Sequence, residues 1–346
     1  MSKQVKTAVV GASGYTGMEL LRLLLMHPNA EITCVTSRQY AGQQLGEVFP
    51  RYASAPGAEV LFIEPDAAAI AATGAEVAFL ALPHGVAAEY AAGLLEKGLK
   101  VIDLSADFRI SDPEVYEEFY GAPHPDRELL KEAVYGLPEV RAEEIKKARL
   151  IASPGCYPTS ITLPLLPLLE AGLIDPQSIV TCSMSGVSGA GKTGNVLFSY
   201  CESNESVRAY SVPKHRHLSE IEQELSIAAG EKVFMSFTPH LMPAHNGICT
   251  TTSAKLIGDA DKVNEVLTEA YKDARFVRLL GKGKPADTKN VTRTNHIDIG
   301  WEYDARTGRV ILMSAEDNLG KGAGGQAIQS FNLMCGLDEA AGLLNY

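Results

Sequence analysis

Val5-Lys6-Thr7-Ala8-Val9-Val10-Gly11-Ala12-Ser13-Gly14-Tyr15-Thr16-Gly17 decides the fold. The first six residues form a short β-type run, the glycines follow at G-x-x-G-x-x-G spacing, and a leucine-rich helical pattern runs from Met18 to Met26. Strand, glycine turn and helix is the order of a dinucleotide-binding unit. The glycines permit a tight turn and let backbone amides approach a pyrophosphate at the helix N-terminus. Gly11, Ser13, Gly14, Tyr15, Thr16 and Gly17 are the candidate cofactor residues here, although glycine turns also join strands to helices for packing alone.

Outward from this turn, a second strand, Ile32 to Thr36, ends in Ser37-Arg38, where an NAD-selective fold carries an acidic residue for the ribose hydroxyl. A hydroxyl and a guanidinium suit a 2′-phosphate, which favours NADP; a solvated arginine is the plainer alternative. Val77 to Leu82 and Val101 to Leu104 read as buried parallel strands, with a helix from Val86 to Leu95 between them. His84 and Arg109 fall at the carboxyl ends of these strands, where open α/β sheets bind ligands. Arg109 could offer a fork of donors to an anion or merely pair with Asp107 at the surface. From Ser111 to Arg149 the pattern turns polar and aromatic, broken by Pro113, Pro123, Pro125 and Pro138, with one short helix expected near Ala142 to Lys147. A domain boundary is expected near residue 150.

Composition narrows the class. The chain has 346 residues, 46% of them apolar, and a formal net charge of -11, which argues against nucleic-acid binding. Its six cysteines are scattered, without the spacing of a zinc site or a disulfide framework, so they read as reduced thiols of a cytoplasmic protein. No export signal or membrane-spanning run is expected, and no metal.

The second half supplies the chemistry. Ser153-Pro154-Gly155-Cys156-Tyr157-Pro158-Thr159 places a cysteine at the mouth of an apolar helix, Ile161 to Leu169. The positive end of a helix stabilises negative charge, so a thiol there can become a nucleophilic thiolate. A strand, Ser178 to Met184, runs into the small-residue stretch from Ser185 to Lys192, which would let a ligand approach closely, with Ser188 and Gly189 as cofactor-side candidates and Ser185 on the substrate side. Lys214-His215-Arg216-His217 precedes a helix, Leu218 to Leu225. A histidine within reach of Cys156 can serve as general acid and base, since imidazole titrates near neutrality. Val233 to Thr238, Ile248 to Leu256, His296 to Tyr303 and Val310 to Ser314 read as strands of a mixed or antiparallel sheet, with a helix at Lys262 to Ala274. A glycine-rich junction after Asn318 leads to an amphipathic helix, Gln326 to Leu333, expected to pack back on the first domain and bring the two halves together over the cofactor. The fold expected is α/β: a Rossmann-type doubly wound parallel sheet (1–150, completed by 320–346) and a second α+β catalytic and oligomerisation domain (151–319).

Gly11 to Gly17, Asp103 to Arg109, Pro154 to Thr159, Ser185 to Gly191, Lys214 to His217 with Glu220-Ile221, Phe237 to Leu241, and Asp317-Asn318-Leu319 with Lys321-Gly322-Ala323 form an ordered set. Over essentially the whole chain this set resembles the N-acetyl-γ-glutamyl-phosphate reductases of arginine biosynthesis, relatives of aspartate-semialdehyde dehydrogenase. The resemblance implies Cys156 as nucleophile, His217 as acid and base, Arg109 as a substrate or phosphate ligand, Asn318 beside the nicotinamide, NADPH as cofactor, an acyl phosphate as substrate, and a homo-oligomer, dimer or tetramer. Ser153, Ser185, His215 and His245 join Arg109 as substrate-side candidates. Three positions depart from the family pattern: Ser153 stands where Asn is usual, Lys192 where Arg is frequent, and Asn246 where an Arg commonly precedes Gly247. The last leaves a gap in the expected anion clamp, with Lys192, Arg208 and His245 as candidates to fill it. Aspartyl phosphate or a carrier-linked aminoadipyl phosphate as substrate, and a non-catalytic NADP sensor, are the competing expectations.

Overall fold

Short β-branched runs flanked by glycine and proline pair into two seven-stranded sheets, one in each of the two units into which the chain divides. The computed structural model describes residues 4–192 and 194–344. The first unit takes residues up to 117, 122–154 and 323 onward; the second takes 118–121 and 155–322.

In the first unit, strands β1 (Val5–Val10), β2 (Ala30–Thr36), β3 (Phe62–Ile63), β4 (Val77–Leu80), β5 (Lys100–Asp103), β6 (Val134–Tyr135) and β7 (Leu150–Ala152) form an all-parallel sheet. Its order is β3-β2-β1-β4-β5-β7-β6, so the winding reverses between β1 and β4. Such a reversal opens a ligand crevice at the carboxyl ends of the strands. All of β4 is buried, which is why these strands read as continuous apolar runs. Each fully buried Val or Leu contributes about 1.5–3 kcal/mol relative to exposure.

Among the described residues, the α-helices before β7 are α1 (Tyr15–Leu24), α2 (Leu45–Val48), α3 (Ala67–Ala72), α4 (Ala87–Glu96), α5 (Pro113–Tyr120), α6 (Arg127–Leu130) and α7 (Pro138–Ile145). Two sequence expectations need correcting. The first helix starts three residues before Met18, because Gly14 takes an extended conformation and acts as its N-cap. The stretch 111–149 is also far more regular than its prolines suggest. Pro113 and Pro138 each open a helix, where a missing N–H costs no hydrogen bond.

The helix at Gly325–Cys335 packs against α1 and α7 of the first unit. It is not amphipathic, however. Residues 325–334 are buried on every side, and two of the polar ones find partners inside: Asn332 Oδ1 lies 2.9 Å from His27 Nε2, and Gln329 donates to Glu139 at 3.0 Å.

The second unit is built on α8 (Cys156–Glu170), α9 (Tyr200–Ser203), α10 (Arg216–Ala229) and α11 (Lys262–Tyr271). Its strands are β8 (Val180–Ser185), β9 (Arg208–Ala209), β10 (Ser236–Leu241), β11 (Ile248–Lys255), β12 (Val277–Lys282), β13 (Ile297–Asp304) and β14 (Arg309–Glu316). They lie in the order β12-β13-β14-β11-β8-β10-β9, a mixed sheet with β8–β10 and β12–β13 parallel. The edge strand β12 went unread in the sequence, its run broken by Gly281 at φ +90°. Helix α8 packs on α10, α11, β11 and β14 and is buried from Tyr157 to Leu169. That burial explains how it tolerates Pro164 and Pro167, whose rings each remove a ladder hydrogen bond. Among the described residues no helix is long and apolar enough to cross a membrane.

Candidate active site

Three glycines follow β1, and two of them, Gly11 and Gly17, are required by sterics. Gly11 has φ +83° and lies against the Ala81 carbonyl, leaving no space for a side chain. A Cβ on Gly17 would fall 2.5 Å from the Gly11 oxygen and 2.7 Å from Ala12 Cα, so this glycine sets the close approach of α1 to β1. Gly14 differs: a Cβ there would meet nothing nearer than the Gly11 oxygen at 3.9 Å. The protein itself gives no reason for this glycine. A pyrophosphate against the backbone would, at a helix whose first turn carries no acidic residue and no side-chain cap. The residues present therefore fit a dinucleotide. Ser37 is buried at the end of β2, and Arg38 beside it is exposed.

At the ends of β5 and β7 the sequence alternative of a surface Asp107–Arg109 pair is replaced by buried roles for both. Asp107 accepts from the amides of Gly85 (2.6 Å) and Ala88 (3.1 Å), fixing the start of α4. Arg109 donates through Nε to the Ser153 carbonyl (2.7 Å) and through Nη2 to the Leu104 carbonyl (2.8 Å). The Ser153 amide in turn donates to the Asp103 carbonyl at 2.7 Å. Burial pushes the Asp103 carboxyl up to about 7, against the opposing bonds from Ser105. Ser153 Oγ is wholly buried and has no hydrogen-bond partner among the described residues.

In the second unit Cys156 is itself the first residue of α8, with Gly155 as N-cap. The imidazole of His217 lies directly against that cap. A Cβ on Gly155 would sit 2.5 Å from His217 Nε2, so only glycine lets the ring reach the cysteine's helix end. His217 comes from the first turn of α10, whose N-cap is His215: its Nδ1 accepts the His217 amide at 3.0 Å. Tyr157, Tyr210 and Phe237 pack edge-on around His215. Burial, with the Arg216 charge beside it, holds His215 down to about 4. Burial also raises both phenols, which are joined by a 3.0 Å bond from Tyr210 to Tyr157. Lys214 pairs with Glu118 at 2.7 Å and lies over the Phe119 ring, and Arg216 lies over Tyr120. The cation cluster is thus held by residues 118–120.

A closed polar ring occupies the other candidates. Ser188 Oγ donates to Asn246 Oδ1 (2.9 Å) and accepts from Asn318 Nδ2 (2.9 Å); Asn318 Oδ1 accepts the Gly247 amide (2.8 Å). Asn246 Nδ2 donates to both oxygens of Asp317 at 3.1 Å. Where the family pattern has an arginine, this chain therefore has a neutral clip between two loops. A Cβ on Gly189 would lie 3.4 Å from Ser185 Oγ, which donates to the Gly186 carbonyl. His245 is exposed but gives its carbonyl to the Ser188 amide. Lys192 is exposed, and Arg208 donates to the Leu197 carbonyl.

Residues 6–148 match the model described as semialdehyde dehydrogenase, NAD binding domain, and residues 156–318 the one described as semialdehyde dehydrogenase, dimerisation domain. An N-acetyl-gamma-glutamyl-phosphate reductase of Akkermansia muciniphila is 67% identical over 99% of both chains. The chain belongs to the N-acetyl-γ-glutamyl-phosphate reductase family. Members from Geobacter metallireducens and Syntrophobacter fumaroxidans are 50% and 48% identical, with 98% of each chain covered. The fold is also that of aspartate semialdehyde dehydrogenase II from Vibrio cholerae (TM-score 0.72, 17% identity, 96% of this chain and 99% of that one). The Candida albicans aspartate semialdehyde dehydrogenase solved with NADP is alike in fold (TM-score 0.71, 17% identity, 96% and 97% covered).

Two buried acids stand near Cys156 that the residue-by-residue reading left without a role, Glu220 among them although it belongs to the motif set above. Glu220, 0% exposed, accepts the Gly155 amide at 2.8 Å. Its spacing of three from His217 on α10 puts both on one helix face, a signal present in the sequence. Glu316, also 0% exposed, continues the inward set Val310, Leu312, Ser314 of β14.

The His215 cap makes one prediction about stability. Its folded pKa, about 4, lies below the ordinary 6.5, so the unfolded chain binds the extra proton between these values. Its contribution is complete above pH 6.5 and is lost as pH falls towards 4. His215→Asn keeps an N-cap acceptor without the titration. The wild-type melting temperature is expected to fall more steeply than the variant's across that window. Parallel curves would reject the role.

Proposed function

We propose that this chain reduces N-acetyl-L-glutamyl 5-phosphate with NADPH to N-acetyl-L-glutamate 5-semialdehyde and phosphate, through a thioester on Cys156, in arginine biosynthesis. The observation that carries the reading is the His217 imidazole lying against Gly155, at the helix end that Cys156 opens. In this reading His217 takes the thiol proton, and the thiolate attacks the acyl carbon. Backbone amides at the start of α8 face the oxyanion that develops. As the C–O bond to phosphate breaks, His217 passes its proton to the leaving oxygen. The thioester that remains suits reduction because sulfur donates little resonance to its carbonyl.

NADPH, when bound, supplies a hydride. Gly11, Gly14 and Gly17 with the first turn of α1 would hold its pyrophosphate, and Ser37 and Arg38 its 2′-phosphate. Arg109, anchored by two carbonyls, would present its guanidinium to the substrate phosphate. In the last step the carbonyl re-forms, the C–S bond breaks, and Cys156 leaves as thiolate, taking one proton from solvent by way of His217.

The test runs the reaction backwards. With phosphate and NADP⁺, N-acetylglutamate semialdehyde is expected to give NADPH at least about a hundredfold faster than aspartate semialdehyde, since a site built on specific polar contacts discriminates strongly. NAD⁺ is expected to be the poorer acceptor. Equal rates with both aldehydes would reject the assigned substrate, and equal rates with both nucleotides the assigned cofactor.

A further inference from the structure

Glu316 and Cys156 meet at one point. A methyl group placed on Gly322 would sit 2.8 Å from Cys156 Cβ and 2.9 Å from Glu316 Oε1, so the carboxyl and the thiol-bearing carbon flank a space one methyl wide. The register of β14 on α8 explains this meeting. Ser314 Oγ donates to the Ser160 carbonyl at 2.6 Å; two residues further along the strand, Glu316 faces the helix one turn nearer its N-terminus. Glu316 is wholly buried there, and so is Glu220, whose Oε1 accepts the Gly155 amide at the same helix end.

The helix mouth is thus flanked by two carboxyl groups before any thiolate forms. A negative group at this distance disfavours a second negative charge and opposes the stabilisation that a bare helix end would give. Of the other ionisable groups around Cys156, His217 stands on α10, Tyr157 on α8 and Tyr210 before α10. Lys321 is fully buried in the turn that carries Gly322. Asp317 turns away, accepting from the amides of Arg293, Leu319 and Gly320. The Lys321 ammonium lies over the Phe276 ring.

We propose that Glu316 is a positioning residue whose carboxylate keeps Cys156 protonated until His217 takes the proton. The proposal rests on the thioester reading above. Its chemical advantage is that a less acidic thiol gives a stronger nucleophile once deprotonated, because nucleophilicity falls with pKa.

The test is the pH dependence of Cys156 alkylation by iodoacetamide in the full-length protein, read on the Cys156 peptide by mass spectrometry. In Glu316→Gln the midpoint is expected to move down by about one unit or more, the scale of a charge a few ångströms away. Glu316→Asp, which keeps the charge, is expected to stay near the wild-type midpoint. If Glu316→Gln fails to fold, Glu316→Leu removes the charge with an apolar group of similar size and carries the same expectation. An unmoved midpoint in a folded neutral variant, or equal shifts in the Gln and Asp variants, overturns the proposal. Because alkylation needs no turnover, this outcome is separable from failure of the thioester reading, which Cys156→Ala activity decides.

Discussion

Cys156→Ala is expected to lower turnover by roughly 10⁴-fold or more, the scale seen when a covalent nucleophile is removed, because no other group can form the thioester. NADPH binding, followed by fluorescence titration, is expected to change by less than about twofold, since Cys156 is not among the candidate cofactor residues and the glycine turn, Ser37 and Arg38 belong to the other unit. Steric damage is an unconvincing alternative explanation. The side chain shrinks, α8 is held from Tyr157 onward by its own packing, and Gly322 leaves space beside the cysteine. Cys156→Ser separates the roles further: an oxygen ester resists hydride addition because its carbonyl is resonance-stabilised. If the alanine variant retained near-normal turnover, covalent catalysis would be excluded.

The second large effect is expected at His217. His217→Ala is predicted to lose at least about a hundredfold in kcat/KM, the usual contribution of a positioned acid and base. The loss has a signature that packing damage lacks. The limb of the pH–rate profile that follows imidazole titration disappears, leaving a profile set by the thiol alone. His217 sits in the first turn of α10 behind the His215 cap, so the remainder of the helix, from Leu218 through Leu225, keeps its buried face. A variant that lost activity but kept the wild-type pH profile would remove His217 from the chemistry and leave it a packing residue against Gly155.

Much of this arrangement was legible residue by residue. Gly11 and Gly17 marked the tight turn after β1 because each answers a local steric demand. Cys156 could be placed at a helix mouth because Pro158 and the apolar run after it mark a first turn. The unread parts involve partners distant in sequence. Glu220 holds an amide 65 positions away, and Asn246 clips to Asp317, 71 positions away. Arg109 looked like half of a surface pair with Asp107, yet the two point to different backbones: carbonyls for one, amides for the other. Pro113 and Pro138 read as breakers because proline disfavours helix interiors, whereas their place at a helix start depends on where the chain turns.

Sequence alone determined the elements whose causes are local: the parallel strands through their unbroken apolar runs, the tight turn after β1 through Gly11 and Gly17, and the place of Cys156 at a helix end. Tertiary structure alone decided what surrounds Cys156. Burial and strand register bring Glu220, Glu316 and His217 to one helix mouth from α10 and β14. A hydrophobic period can say that Glu316 points inward, but not which residue it will face. That depends on how β14 lies across α8, which is set by packing summed over the whole unit.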